Sequence, residues 1–327
     1  MDVAAILAEP ELARVAVALA ALVRPSIRLT PTPADEAALA PHASKFGGRP
    51  ALPSGVDWPT ARLRVPPGSA AFRTAHPDLP TLPPEGIIAL PFIAQIWLAD
   101  AAPHDPAGLL PPTGLLSFFY NPVAFYSDTG DASIVHDQLT GQSYGVYDYD
   151  SPANWRVLYH DRDAAQFALA APPPDLLLPT DYPAQALTFA AEPTLPQVET
   201  CFIGEHGSAS GVLALTPDEW DAYAELRYEA RANGPIHQLL GHSDDPQPFA
   251  LERGYRAVRA AFFPALPPLE ALTPAEQGAE LVANRLLLQV DVLPSGTRFG
   301  REGRLFFGIR AADLAAGLFD KVWVAAP

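Results

Sequence analysis

Proline decides what this chain can become. It occupies 38 of 327 positions. Each one fixes φ and removes a backbone donor, so helices break and strand ladders lose a bond wherever it falls. The expected fold therefore has short elements and many connections, with prolines at turns and sheet edges, and is not a helical bundle. Hydrophobic residues at 49% against charged residues at 18% still supply apolar surface for a core, so the prolines do not spell disorder.

Between the prolines, local signals place the elements. Residues 2–23 are rich in Ala and Leu and predict a helix, ended by Arg24-Pro25 because a residue before proline avoids the α region. A short strand follows over 26–29. Thr216-Pro217, with Glu219 three positions after the cap, predicts a capping box and a helix over 216–233, closed by Asn233-Gly234-Pro235. Thr273-Pro274-Ala275-Glu276 repeats that opening for a helix to Ala283, and 311–316 predicts a last short one. Apolar runs bounded by Gly and Pro predict strands at 87–90, 92–98, 115–120, 155–159, 197–203, 286–292, 305–309 and 322–325. The proline-rich stretch 171–196 reads as a long surface connection.

Two parts of the chain echo each other. Phe46-Gly47-Gly48, Ile93-Ala94-Gln95-Ile96 and Gly114-Leu115-Leu116-Ser117-Phe118-Phe119 recur in order as Leu239-Leu240-Gly241, Leu287-Leu288-Gln289-Val290 and Gly303-Arg304-Leu305-Phe306-Phe307. Gly48 to Gln95 spans 47 positions and Gly241 to Gln289 spans 48. A Gly-marked turn, a strand with a buried Gln and a Gly-led apolar strand in each half predict a diverged duplication. The expected class is α+β and β-rich, with two pseudo-repeated antiparallel-sheet halves and a few packed helices. The expected divisions are 1–43 (helix and strand), 44–170 (first half), 171–196 (connection) and 197–327 (second half), together one compact domain.

The same residues carry a family resemblance. Ser44-Lys45-Phe46-Gly47-Gly48-Arg49-Pro50-Ala51-Leu52-Pro53 with Trp58-Pro59, Phe92-Ile93-Ala94-Gln95-Ile96 before Leu98-Ala99-Asp100, and Leu110-Pro111 through Gly114 to Tyr120 resemble successive motifs of the YwqG-like family (domain of unknown function 1963). So do His237-Gln238-Leu239-Leu240-Gly241, Leu286 to Asp291, Gly303 to Phe307 and Asp313-Leu314. The resemblance runs from residue 44 to the C-terminus. Where the family pattern has a Trp and an Asp before the late Gly, this chain has Phe299 and Glu302. The resemblance implies a soluble bacterial protein of mixed α and β structure, with no established activity or catalytic residues.

Charge narrows the function classes. The formal net charge is −16, whereas nucleic-acid binding relies on Lys and Arg neutralising phosphates. Between Arg73 and Arg156 there are nine acids and no Lys or Arg, and between Arg162 and Arg227 ten acids and again none. Such stretches suit a basic partner or a cation, or form a solvated surface. One cysteine, Cys201, rules out an internal disulfide and fits a reducing compartment. Asp2, Glu9 and Glu11 stand where a signal peptide would be basic, and the uncharged run 15–23 is too short to span a membrane. The expectation is a cytoplasmic protein with no membrane or nucleic-acid partner.

Several groups are candidates for chemistry. Lys45, beside the Gly-Gly turn with Arg49, suits an anion ligand or a shifted-pKa base; the plainer reading packs its stem and leaves the ammonium in water. Gln95 and Gln289 either line a shared polar pocket across a pseudo-twofold or each tie a strand to a neighbouring loop. The Gly-rich loop 296–304, with Arg298, Arg301 and Arg304, suits an anion nest but matches no phosphate-binding fingerprint. Cys201 and His206 suggest a nucleophile and base, against a thiol buried as a small hydrophobe. His237 and His242 with Asp244 and Asp245, and the group Asp148, Asp150, His160, Asp161 and Asp163, hold metal-ligand types without a complete metal spacing. His237 and Asp291, from the second-half motifs, complete the candidate ligand-binding set. No metal and no cofactor is expected.

No motif supplies a complete acid, base and nucleophile. The leading expectation is a protein-binding module for a basic partner, such as a toxin that it neutralises. The alternative is a small-molecule-binding protein or enzyme with its site between the halves.

Overall fold

The prolines do not prevent a long sheet. The computed structural model describes residues 8–64, 85–120, 134–136, 143–145, 154–174, 183–205, 212–230, 234–245, 250–293 and 303–326. Ten strands form one sheet: β1 Arg24–Pro33, β2 Lys45–Phe46, β3 Phe92–Trp97, β4 Leu115–Tyr120, β5 Trp155–His160, β6 Gln185–Thr194, β7 His237–Leu240, β8 Asn284–Val290, β9 Leu305–Arg310 and β10 Trp323–Ala325. Their spatial order is β5-β4-β3-β2-β6-β1-β7-β8-β9-β10, and neighbours run antiparallel. Among the described residues the helices are α1 Ala16–Ala21, α2 Leu98–Ala101, α3 Pro217–Ala230, α4 Ala250–Phe262, α5 Pro274–Val282 and α6 Ala311–Ala315. The architecture is α+β and β-rich.

The sheet repeats itself about its middle. β1 and β6 pair along their whole length, from Arg24 opposite Thr194 to Pro33 opposite Gln185. Ile27 faces Leu239 of β7, and Gln185 faces Phe46 of β2. The offset that carries position 27 to 185 also carries Thr30 to Thr188, and those two threonines are themselves paired. A pseudo-twofold axis therefore passes between them, relating β1–β5 to β6–β10. The irregularities correspond too: β3 is bulged between Phe92 and Ala94, and β8 between Leu286 and Leu288. Each unit lends its first strand to the other, since β1 pairs with β7 and β6 with β2.

This centre holds Pro25, Pro31 and Pro33 in β1, where edges and turns were expected. β7 pairs only with Ser26–Leu29. All three prolines lie outside that stretch, where β1 has a neighbour on one side alone and a missing donor costs no ladder bond.

The sheet curls round its core. Phe118 of β4 meets Phe307 of β9 with ring centroids 5.0 Å apart. At the two sheet edges Trp155 Nε1 donates to Val322 O (2.7 Å) and Tyr159 meets Phe319. The principal cluster accordingly draws on strands from end to end, including Leu29, Phe46, Phe118, Val157, Leu239, Leu288, Phe307 and Val324. A satellite cluster joins Leu12, Val15 and Leu19 to Leu195, Ile203, Leu215 and Tyr223, so the N-terminal segment anchors α3.

Three expectations need correction, and one helix was not expected. Within 171–196, Gln185–Thr194 is not a surface connection but a central strand; its Pro193 lies beyond the two residues paired with β2. No strand spans 197–203, because Glu199 adopts a left-handed φ of 57° that breaks an extended run. The long N-terminal helix is, from residue 8 on, a single turn at Pro10–Leu12 and the short α1, since Pro10 has no N–H to continue a helix. Helix α4 had no sequence expectation.

Candidate functional site

In both units the chain leaves the short strand through two left-handed residues, Gly47 and Gly48 (φ 63° and 66°) and Leu240 and Gly241 (59° and 75°). In the first unit Glu36 fills the space beside this turn. Its Oε1 accepts from Lys45 Nζ (2.7 Å) and Arg49 N (2.6 Å), and its Oε2 from Arg49 Nε (2.9 Å). Burial pushes the Glu36 carboxyl up, but the bonds from Lys45 and Arg49 outweigh it and hold the group at about 2. Burial lowers the Lys45 ammonium, with Glu36 opposing. The Lys45 side chain is fully buried, so it neither reaches water nor stands ready for an external anion. Glu36 was not among the sequence candidates; the signal was that a Lys, one of only two in an Arg-rich chain, needs a carboxylate once buried.

The two glutamines do the same work in both units. Gln95 Oε1 accepts from Ala51 N (2.8 Å), and its Nε2 donates to Pro41 O and Ala43 O (2.8 Å each). Gln289 Oε1 accepts from Asp244 N (2.9 Å) and its Nε2 donates to Ile236 O (3.0 Å). Ala43 and Ile236 each lie five residues before the turn glycine, and Ala51 and Asp244 three after it. Each amide thus clamps the two limbs of a Gly turn against a strand. Gln95 bonds Pro41, Ala43 and Ala51 while Gln289 bonds Ile236 and Asp244, so each amide is used within its own turn and not in a shared pocket.

His237, Asp291 and Arg304 converge in the second unit. Asp291 N donates to His237 Nδ1 (3.1 Å), which leaves the ring proton on Nε2. Nε2 is buried without a partner among the described residues. Burial pulls this imidazole down to about 4, with Asp291 opposing and Arg28 adding to the shift. Asp291 Oδ2 accepts from Ile236 N (2.9 Å) and faces Arg304 Nε at 3.1 Å. Arg304 also bonds the carbonyl and carboxylate of Asp244. The candidates therefore fall into two groups, Lys45, Arg49 and Gln95 in one unit and His237, Gln289, Asp291 and Arg304 in the other. Arg298 and Arg301, like His206, Asp148 and Asp150, lie outside the described residues.

Cys201 is buried, and its thiol is driven far up by burial and by the nearby Glu252 carboxylate, which suits an inert side chain. His242 Nε2 bonds Leu22 O at 2.7 Å, away from any set shared with His237. Among the described residues no group of three or more His, Cys, Asp or Glu is placed to hold a metal ion. No described helix is long and apolar enough to cross a membrane.

A cavity of about 40 Å³ lies beside the second Gly turn, lined by Arg24, Thr200, Cys201, His242, Glu252 and Asn284 among others. Of these only Cys201 and His242 drew attention in the sequence. Arg24 had read as the end of a helix, and Asn284 had no reading.

No curated protein matches the chain. The model of one family, Domain of unknown function (DUF1963), matches residues 44–326. That span takes in both Gly turns, both clamping glutamines and all of the ten strands except β1, and the chain belongs to this family.

Proposed function

We propose that this protein is a protein-binding module that docks a basic partner on the outer face of α3. One observation carries the reading. Asp218, Asp221, Glu225 and Glu229 are all exposed at helical spacings that place them on one side of α3, and Tyr228 beside them is 79% exposed. Glu9 and Glu11 stand nearby: the Glu9 carboxyl is raised by its bond with Glu11, by burial and by the charges of Glu11 and Glu225. Like charges gathered in this way favour a cationic surface, and an exposed tyrosine is the kind of side chain that anchors such contacts. A basic toxin fits as a partner, which would make the protein a neutraliser. A catalytic role draws less support, because Lys45, Gln95, Gln289, Asp291 and Arg304 are occupied with backbone and ion-pair bonds. In the same reading the two units are a diverged internal duplication, and the protein works in the reducing bacterial cytoplasm.

A lysine-rich peptide serves as the probe, with hydrogen exchange read across the whole chain. The expected result is protection confined to α3 and the 8–14 segment, weakened by salt and lost in the Asp221→Lys/Glu225→Lys double variant. Protection spread over all acidic surfaces, or unchanged in the variant, overturns the reading.

A further inference from the structure

Arg24 and Arg285 share two backbone carbonyls. Arg24 donates to Asn284 O (3.3 Å) and Val282 O (2.9 Å), and Arg285 to the same two oxygens (2.9 and 2.8 Å). Neither guanidinium has a carboxylate partner among the described residues. Burial, and for Arg24 the charge of Arg285, lowers both; Arg24 comes down to about 9. Two half-buried cations on one pair of carbonyls leave positive charge uncompensated, and Arg24 keeps three of its five N–H groups for another acceptor. Its guanidinium lies over Phe202, 4.6 Å from the ring centroid, which holds it in place.

Asn284 lines the same cavity. The residue is 6% exposed, and neither Nδ2 nor Oδ1 has a partner among the described residues. A buried amide with both ends unbonded is costly unless something occupies the space beside it. The fold itself does not call for an amide here. The corresponding residue in the first unit, five before Gln95 as Asn284 is five before Gln289, is Leu90, and its carbonyl is bonded by Trp58 Nε1 (2.7 Å) instead of an arginine. One unit closes this position with apolar groups; the other builds a polar cavity.

We propose that this cavity binds a small monocarboxylate that also carries a hydrogen-bond donor, of the size of glycolate or glycine. The carboxylate pairs with Arg24 and with Asn284 Nδ2, and the ligand's hydroxyl or ammonium donates to Asn284 Oδ1. Glu252, held by the Cys201 N–H at 2.9 Å, adds a negative charge to the wall. It disfavours a dianion such as inorganic phosphate and favours an ammonium-bearing ligand over a plain acid. The volume, about 40 Å³, admits only the smallest such molecules. This site is independent of the α3 face, so either reading can fail without the other.

Calorimetric titration of the full chain with glycolate, glycine, acetate and inorganic phosphate tests it. Saturable binding of glycolate or glycine is expected, with acetate weaker by about tenfold for the lost donor bond and phosphate silent. Asn284→Leu, which copies the first unit's Leu90, is expected to fold and to lose binding. Glu252→Gln keeps the bond to Cys201 N and is expected to admit phosphate. Four ligands giving equal or no heat, undiminished binding by Asn284→Leu, or no change in phosphate selectivity in Glu252→Gln each overturn the proposal.

Discussion

At the scale of single residues, burial turns candidate chemistry into architecture. Gln95 and Gln289 were legible as unusual because polar groups inside apolar strands must find partners, and Lys45 because it is a rare Lys beside a Gly-Gly turn. The partners themselves were not legible, because Glu36, Ala51 and Asp244 are set by how the turns fold back. His237 illustrates the energetic side. Its folded value of about 4 lies below the unfolded 6.5, so between these values the unfolded chain binds the extra proton. The stabilisation from a neutral His237 is full above pH 6.5 and is lost as the pH falls through about 4. It amounts to about 3 kcal/mol. In His237→Asn, where the amide oxygen can still accept from Asp291 N, urea melts at pH 7 and pH 5 are expected to differ less than in the parent chain, His242 supplying the remainder. An undiminished difference would assign the pH dependence elsewhere.

At the scale of elements, the two capping boxes were read correctly, because a cap is a local event: Thr216 with Glu219, and Thr273 with Glu276, close as expected. Helix α4 escaped notice although Leu251, Tyr255, Val258 and Phe262 follow helical spacing. Gly254 weakens its local preference by about 1 kcal/mol. The glycine is there for a tertiary reason: a Cβ at that position would stand 2.9 Å from Val324 O in β10. The Gly turns make the matching experiment. Gly241→Ala places a Cβ 2.6 Å from that of Ser26 and 2.5 Å from Thr194 Oγ1, at φ +75°, and is expected to cost at least about 2 kcal/mol in chemical denaturation. Gly278→Ala, in α5 with open space around it, is expected to gain about 0.5–1 kcal/mol. Equal effects at the two sites would show that the turn tolerates a side chain.

At the scale of the whole molecule, the pseudo-symmetry of the sheet has a counterpart in three glycine- and glutamine-marked motifs, but its assembly was not legible. Hydrophobic runs show that two similar units exist; they do not show that β1 belongs beside β7, about two hundred residues away, or that proline-bearing segments form the centre. A chain starting at residue 34 lacks β1 and so leaves one edge of β6 and one of β7 unpaired. It is expected to lose its cooperative thermal transition by circular dichroism and to associate through those edges; a sharp transition in a monomer would refute the role given to β1. The reciprocal loan of first strands also has a consequence in time. Synthesis delivers β1 first, yet its two neighbours emerge only after more than half the chain has left the ribosome. The first unit must wait for β6 to be completed, and β1 must be kept from other partners meanwhile. Contacts so distant in sequence slow folding, so the central sheet is expected to close only once β6 and β7 have emerged.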